Sequence, residues 1–210
     1  LYRNIALAKA ELDKDWPGAA AEYEKARKLN PDDPILLRDL ARAYRQMNQW
    51  DKMITLLEEN QAKAATRGDV VEDLARAYEH VNQLDKAAAL LETSRFNAWE
   101  GQQTMHDIYE TVHLRLGEQA MERKDYAAAI RSFQRSLEYP RNLGSGKPID
   151  KSQARNLFLL GQAYEASGRL DDAKKAWKQA ADEKQRGGDF AQKAAAKLGL
   201  PTSAPTSQPK

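Results

Sequence analysis

Three histidines, His80, His106 and His113, are the side chains of this 210-residue chain whose ordinary pKa lies near neutrality, so proton transfer and metal ligation start with them. His106 and His113 stand seven apart, about two helical turns, which puts them on one face but roughly 10 Å from each other. A metal site would use an i, i+4 pair with a third ligand, and the pattern supplies neither. The histidines are therefore expected to be partly exposed polar surface residues. Gly144-Ser145-Gly146-Lys147-Pro148 joins glycines to a lysine as phosphate loops do. It lacks the Gly-x-x-x-x-Gly-Lys-Ser/Thr spacing, and no strand precedes it. Neither Gly-x-Ser-x-Gly nor His-Glu-x-x-His occurs. No catalytic, cofactor or metal residue is assigned, no cofactor is expected, and the chain reads as a non-enzyme.

Guanidinium chemistry remains. Arg38, Arg42, Arg45 and Arg76 fall at helical spacings that make a basic ridge, able to take a carboxylate-bearing segment through bidentate hydrogen bonds. The plainer alternative is a solvated charged face with intrahelical pairs such as Glu72–Arg76. The whole-chain balance is even: 33 Lys and Arg against 31 Asp and Glu, a net charge of +2, which gives no push toward nucleic acid. The absence of cysteine excludes disulfides and thiolate metal sites. No run approaches the roughly 18 apolar residues of a membrane helix.

The elements that carry these residues are periodic. Leu40-Ala41-x-x-Tyr44 recurs as Leu74-Ala75-x-x-Tyr78, Leu116-Gly117-x-x-Ala120 and Leu160-Gly161-x-x-Tyr164. Each is followed by a large apolar residue (Trp50, Leu84, Tyr126, Leu170), then a small or flexible one (Met53, Ala87, Ala129, Ala173), then a bulky one (Leu57, Leu91, Phe133, Trp177). The first unit shows the second half of this pattern as Trp16, Ala19, Tyr23, Ala26 and Pro31. Such spacing is that of paired amphipathic helices, with turns at Asp13-Lys14-Asp15, Asn48-Gln49, Asn82-Gln83, Lys124-Asp125 and Ser167-Gly168. Small residues at 41, 75, 117 and 161 let two helices approach, and no hairpin covers its apolar faces without a neighbour.

This pattern resembles the tetratricopeptide repeat, best over Leu160-Gly161, Tyr164, Gly168, Leu170, Ala173, Trp177 and Ala180, and the resemblance runs to about Leu200. It implies an all-α fold: a right-handed α-α superhelix of about five hairpins plus a C-terminal capping helix. The expected boundaries are hairpins at about 1–31, 34–65, 68–94, 107–139 and 150–183, a cap at 189–199, and a flexible Pro/Ser/Thr-rich tail at 201–210. It also implies a concave groove lined by the first helix of each hairpin. The terminal-carboxylate clamp of chaperone-binding relatives is not matched, since Asp73 stands where an Asn would be needed.

The 34-residue period breaks twice. Leu74 to Leu116 spans 42 residues and Leu116 to Leu160 spans 44, with the excess at 95–101 and 139–148. Trp99-Glu100-Gly101 and Tyr139-Pro140-Arg141-Asn142-Leu143-Gly144 resemble the C-terminal arrays of bacterial DUF5107-type proteins, whose array follows a β-rich domain. Inserted loops are often functional, so Phe96, Trp99, Tyr139, Arg141 and Leu143 join the four arginines as candidate partner contacts. The alternative is that Phe96 and Trp99 plug a gap between hairpins.

The opening residues Leu1 to Ile5 carry no initiator Met and no leader pattern, and read as mid-helix of a longer protein. Ile5, Leu7 and Leu12 are expected to face a preceding domain or another copy. The expected function is a non-catalytic scaffold binding a protein, a peptide or a preceding domain of the same chain, with no nucleic acid or membrane. An accessory module of a larger carbohydrate-processing protein and a self-assembly module are the alternatives. Compartment and oligomeric state stay open.

Overall fold

Asp15, Asp33 and Asp125 each begin a helix by turning a side-chain oxygen back onto a free backbone N–H: Gly18 at 2.9 Å, Ile35 at 2.8 Å and Ala128 at 3.0 Å. These are N-caps, which satisfy donors the first turn leaves open. The computed structural model describes residues 1–60, 62, 67–96, 102–144, 146, 151–183 and 186–201. Among them it has α-helices and one short 3₁₀ turn, Arg141–Leu143, and no strand. The helices are α1 Tyr2–Glu11, α2 Trp16–Leu29, α3 Pro34–Gln46, α4 Trp50–Glu59, α5 Gly68–His80, α6 Leu84–Thr93, α7 Gln102–Glu122, α8 Tyr126–Ser136, α9 Ala154–Ala166, α10 Leu170–Asp182 and α11 Gly188–Lys197.

The chain forms two compact units, one of Leu1–Ile108 with Pro140–Ser145, the other of Tyr109–Tyr139 with Gly146–Lys210. In the first, α1 packs on α2, α2 on α3, α3 on α4, and α5 on α3, α4 and α6. In the second, α8 packs on α9, α9 on α10, and α11 covers both α9 and α10. The fold is all-α, built of successive helical hairpins.

The hairpin turns repeat one backbone device. Lys14, Asn48, Asn82, Lys124 and Gly168 all have positive φ, between 55° and 79°. In four of them the next residue's N–H reaches back five residues: Gln49 to Tyr44, Gln83 to Tyr78, Asp125 to Ala120 and Arg169 to Tyr164, at 2.8–2.9 Å. This closes the preceding helix in a Schellman-type turn. The turn after α1 is wider, with Asp15 N–H bonding Lys9 O.

Small-against-large packing holds the hairpins. A Cβ on Gly117 would lie 2.4 Å from the Phe133 ring, and one on Gly161 2.3 Å from Trp177 Nε1. Ala41 and Ala75, at the equivalent positions, are fully buried, as are Leu57 and Leu91. Leu170 departs from its equivalents: it is exposed, whereas Leu84 is buried. On α1, Ala6 and Ala10 are buried while Ile5 is exposed, as is Leu12 just after the helix.

Two expectations need correction. The first helix of the fourth hairpin begins at Gln102, five residues ahead of the expected 107, because Met105, Ile108, Tyr109 and Val112 continue the buried period upstream. His106 and His113 are not surface residues; both are buried. Helix α7 is buried on more than one side, so polar positions on it go inside with the apolar ones. The tail at 202–210 lies outside the described residues.

Candidate partner-binding face

Helices α3 and α5, the first helices of the second and third hairpins, carry the arginine ridge, and the structure shows what surrounds each guanidinium. Asp39 on α3 and Asp73 on α5 occupy equivalent positions and are both buried, at 6% exposure. Asp39 accepts from Arg3 Nε of α1 at 2.9 Å and from Arg38 at 2.6 and 3.0 Å. Arg38 also lies 3.9 Å from Asp69, which Arg67 grips with both its Nε and Nη2, at 3.0 and 2.7 Å. Arg45 reaches from α3 to Asp73 at 2.5 Å. Arg76 pairs with Glu72 one turn back at 3.0 Å. Arg42 pairs with Glu11 at 3.0 Å and lies over the Trp16 ring at 5.8 Å.

The ridge is therefore a ladder of ion pairs crossing from α1 to α3 to α5. Its members differ in availability. Arg45 and Arg38 are committed to buried carboxylates, and removing one partner of such a pair leaves a charge without compensation. Arg42 and Glu11 are both nearly half exposed, at 46% and 44% of their side chains, and an exposed pair contributes little to stability. Arg42 is thus the guanidinium that exchanges its partner most cheaply.

The carboxylates sense these surroundings. Burial pushes Asp73 up to about 6, with Arg45 pulling the other way. Burial also works against the Asp69 carboxylate, yet Arg67 and Arg38 hold its pKa below the usual value.

The inserted segments hold the remaining candidates. Phe96 is half-buried, and its N–H donates to Asn142 O at 2.7 Å, so the 94–96 segment and the 141–143 turn meet within the first unit. Leu143 is fully buried and Arg141 exposed. Tyr139 is half-buried and belongs to the second unit. Trp99 lies outside the described residues, as do Ser145, Lys147 and Pro148. His80 is exposed and stacks on Trp50 with ring centroids 4.2 Å apart.

Sequence reasoning missed Arg3, Glu11, Arg67 and Asn142. The first three sit where the repeat pattern is weakest, in α1 and at the start of α5. Asn142 was legible only as part of a loop motif, not as a hydrogen-bonding residue.

A stack of helical hairpins with a charged first-helix face defines a helical-repeat protein. Residues 11–67 and 154–185 each match a family model described as tetratricopeptide repeat. No curated protein matches the chain. Among solved structures, the MamA protein superposes with a TM-score of 0.55 at 19% identity, covering 97% of this chain and 98% of that one. YrrB, described as a TPR protein with an unusual peptide-binding site, gives 0.56 at 16%, covering 93% and 90%. MamA AMB-1 gives 0.53 at 22%, covering 87% and 89%. At these identities the likeness is one of fold. Two segments of the chain thus match tetratricopeptide repeats, and the chain as a whole shares the helical-hairpin fold of such proteins.

Proposed function

We propose that the chain is an interaction scaffold that takes a carboxylate-bearing protein segment along the first-helix face of its first unit. The observation that supports this reading is the exposed Arg42–Glu11 pair within a row of guanidiniums of which Arg38 and Arg45 are oriented by buried carboxylates and Arg76 by Glu72. An incoming carboxylate replaces Glu11 on Arg42, while Arg38, Arg45 and Arg76 keep their geometry and offer their remaining N–H donors. Preorganised donors lose less freedom when a partner arrives. The resemblance of 139–144 to DUF5107-type arrays adds one specific partner: a preceding domain of the same chain.

The test is fluorescence polarisation with matched Glu-rich and Lys-rich peptides. Glu-rich peptides should bind at low salt and weaken as salt rises, and Arg42→Glu/Arg76→Glu should abolish that binding with the helical content unchanged. Equal binding of both peptide types, or normal binding by the double variant, would overturn the proposal. No helix among the described residues is long and apolar enough to cross a membrane.

A further inference from the structure

The strongest unassigned feature of the first unit is a piece of its own chain seated on it. Residues 140–145 belong to that unit although the segments flanking them belong to the other. The Asn142 carboxamide donates to Ser94 O at 2.7 Å and Leu91 O at 2.9 Å, with Glu92 O at 3.4 Å. These carbonyls lie at the C-terminal end of α6, where the last turn lacks internal partners. Helix α6 ends without a Schellman turn: Ser94, its C-cap, is extended, with ψ at 150°. Thr93 and Ser94 hydroxyls bond Ala89 O and Leu90 O at 2.7 and 2.6 Å, which precede in sequence the carbonyls that Asn142 takes. The Asn142 carbonyl takes the Phe96 N–H, and Leu143 is fully buried beside it. Arg141 in between is exposed, and Gly144 ends the turn with φ at 69°.

This arrangement has the parts of a peptide-recognition site: carbonyls and an N–H that read carboxamide and backbone, and a fully buried position for the next side chain. The geometry points to residues 140–144 as a cis-bound strap on a docking site for a short turn-forming segment with an Asn-Leu pair, the site becoming available to a partner when the strap lifts. Among the described residues the hold includes one carboxamide, one backbone hydrogen bond and one buried leucine. Lifting it exposes the end of α6 without unfolding α3 to α5, a subglobal opening of the kind hydrogen exchange detects.

The test uses the full chain and amide exchange by NMR. In Asn142→Ala/Leu143→Ala the Phe96 amide should exchange at least about tenfold faster, while Tyr78 in α5 stays within about twofold. A hexapeptide with the sequence of residues 139–144, added at millimolar concentration, should slow Phe96 exchange again in the variant and leave the wild type unchanged. Unchanged Phe96 exchange in the variant, or acceleration shared equally by Tyr78, overturns the strap. Failure of the peptide to restore protection overturns the docking site. Should the double variant lose its helical content, Asn142→Asp, which sets a carboxylate against the same carbonyls and keeps Leu143, is read by the same two amides.

Discussion

The Tyr78 hydroxyl donates to the Glu58 carboxylate at 2.7 Å, joining the first helix of one hairpin to the second helix of the hairpin before it. One period earlier, Tyr44 makes the same bond to Glu24 at 2.7 Å. Lys86 completes the later site, 2.8 Å from Glu58 and 5.3 Å above the Tyr78 ring, and Lys52 sits 5.9 Å above the Tyr44 ring. In the second unit Gln134 replaces the glutamate and donates to Tyr164 Oη at 3.0 Å, with Arg169 over the ring. The tyrosine of the repeat thus bonds its neighbour with its hydroxyl while its ring fills the core.

Removing one such hydroxyl should be measurable. Tyr78→Phe keeps the ring and deletes a hydrogen bond to a charged acceptor, so a guanidinium titration should show a loss of about 1–2 kcal/mol. Lys86 first and Tyr78 second hold the Glu58 pKa below its ordinary value. That stabilisation is present above the ordinary glutamate pKa of 4.5 and is lost as pH falls through the lower folded value. The Tyr78→Phe difference should therefore shrink in acid; a difference independent of pH would deny the charge its part.

The glycines at the hairpin crossings give a steric prediction. Trp177 Nε1 donates to Phe158 O at 3.2 Å, so the indole that a Cβ on Gly161 would strike is tethered. Gly161→Ala should cost about 1–3 kcal/mol as an overpacking change. Trp177→Ala, a cavity, should cost about 3–5 kcal/mol, since Trp177 is 4% exposed. If Gly161→Ala melts at the wild-type temperature, the close approach is not present in solution.

Most of the hairpin architecture was legible because it rests on size. Ala or Gly facing Leu, Phe or Trp sixteen residues later is a packing rule written directly in residue types, and the turns at 13–15, 48–49, 82–83, 124–125 and 167–168 are marked by breaks in the apolar period, although lysine at 14 and 124 gives no sign of the left-handed backbone found there. The burial of His106 and His113 was not legible, because polar residues on a helix covered from several sides break no apolar period. Nor was the pairing of the ridge. Arg45 meeting Asp73 and Arg3 meeting Asp39 are contacts between hairpins, set by how one packs on the next, and sequence spacing shows only the pairs within one helix, such as Glu72 and Arg76. Asn156 illustrates the same limit: buried, it donates to Ser136 O and Oγ at 3.1 Å and to Glu110 at 3.0 Å, none of which is near it in sequence.

Backbone handedness predicts two stabilising changes. Lys14 and Lys124 hold φ at 55° and 59°, a region where a Cβ costs about 1–2 kcal/mol. Gly168 fills the equivalent turn without that cost. Lys14→Gly and Lys124→Gly should each raise stability by a few tenths to about 1 kcal/mol, the larger unfolded-state entropy of glycine offsetting part of the gain. Thermal unfolding of each variant reads this, and a lower midpoint for both would show that the lysine side chains supply contacts outweighing the strain.

Acid stability tests the buried histidine. His113 is 4% exposed, and its ring sits edge-on to Tyr109 at 4.4 Å. Burial, with a smaller contribution from the positive charge of Arg135, depresses its pKa from 6.5 to about 4. A base with a lowered folded pKa favours the native state while neutral. Below 6.5 the unfolded chain binds a proton that the folded one refuses, so stability falls as pH drops from 6.5 to about 4 and levels off beneath that. The gap corresponds to about 3 kcal/mol across the window. His113→Leu removes the group, and its stability relative to wild type should rise by that order between pH 7 and pH 4, while carboxylates common to both proteins cancel. Parallel pH profiles for the two would place a proton on His113 in the folded state and overturn the assignment.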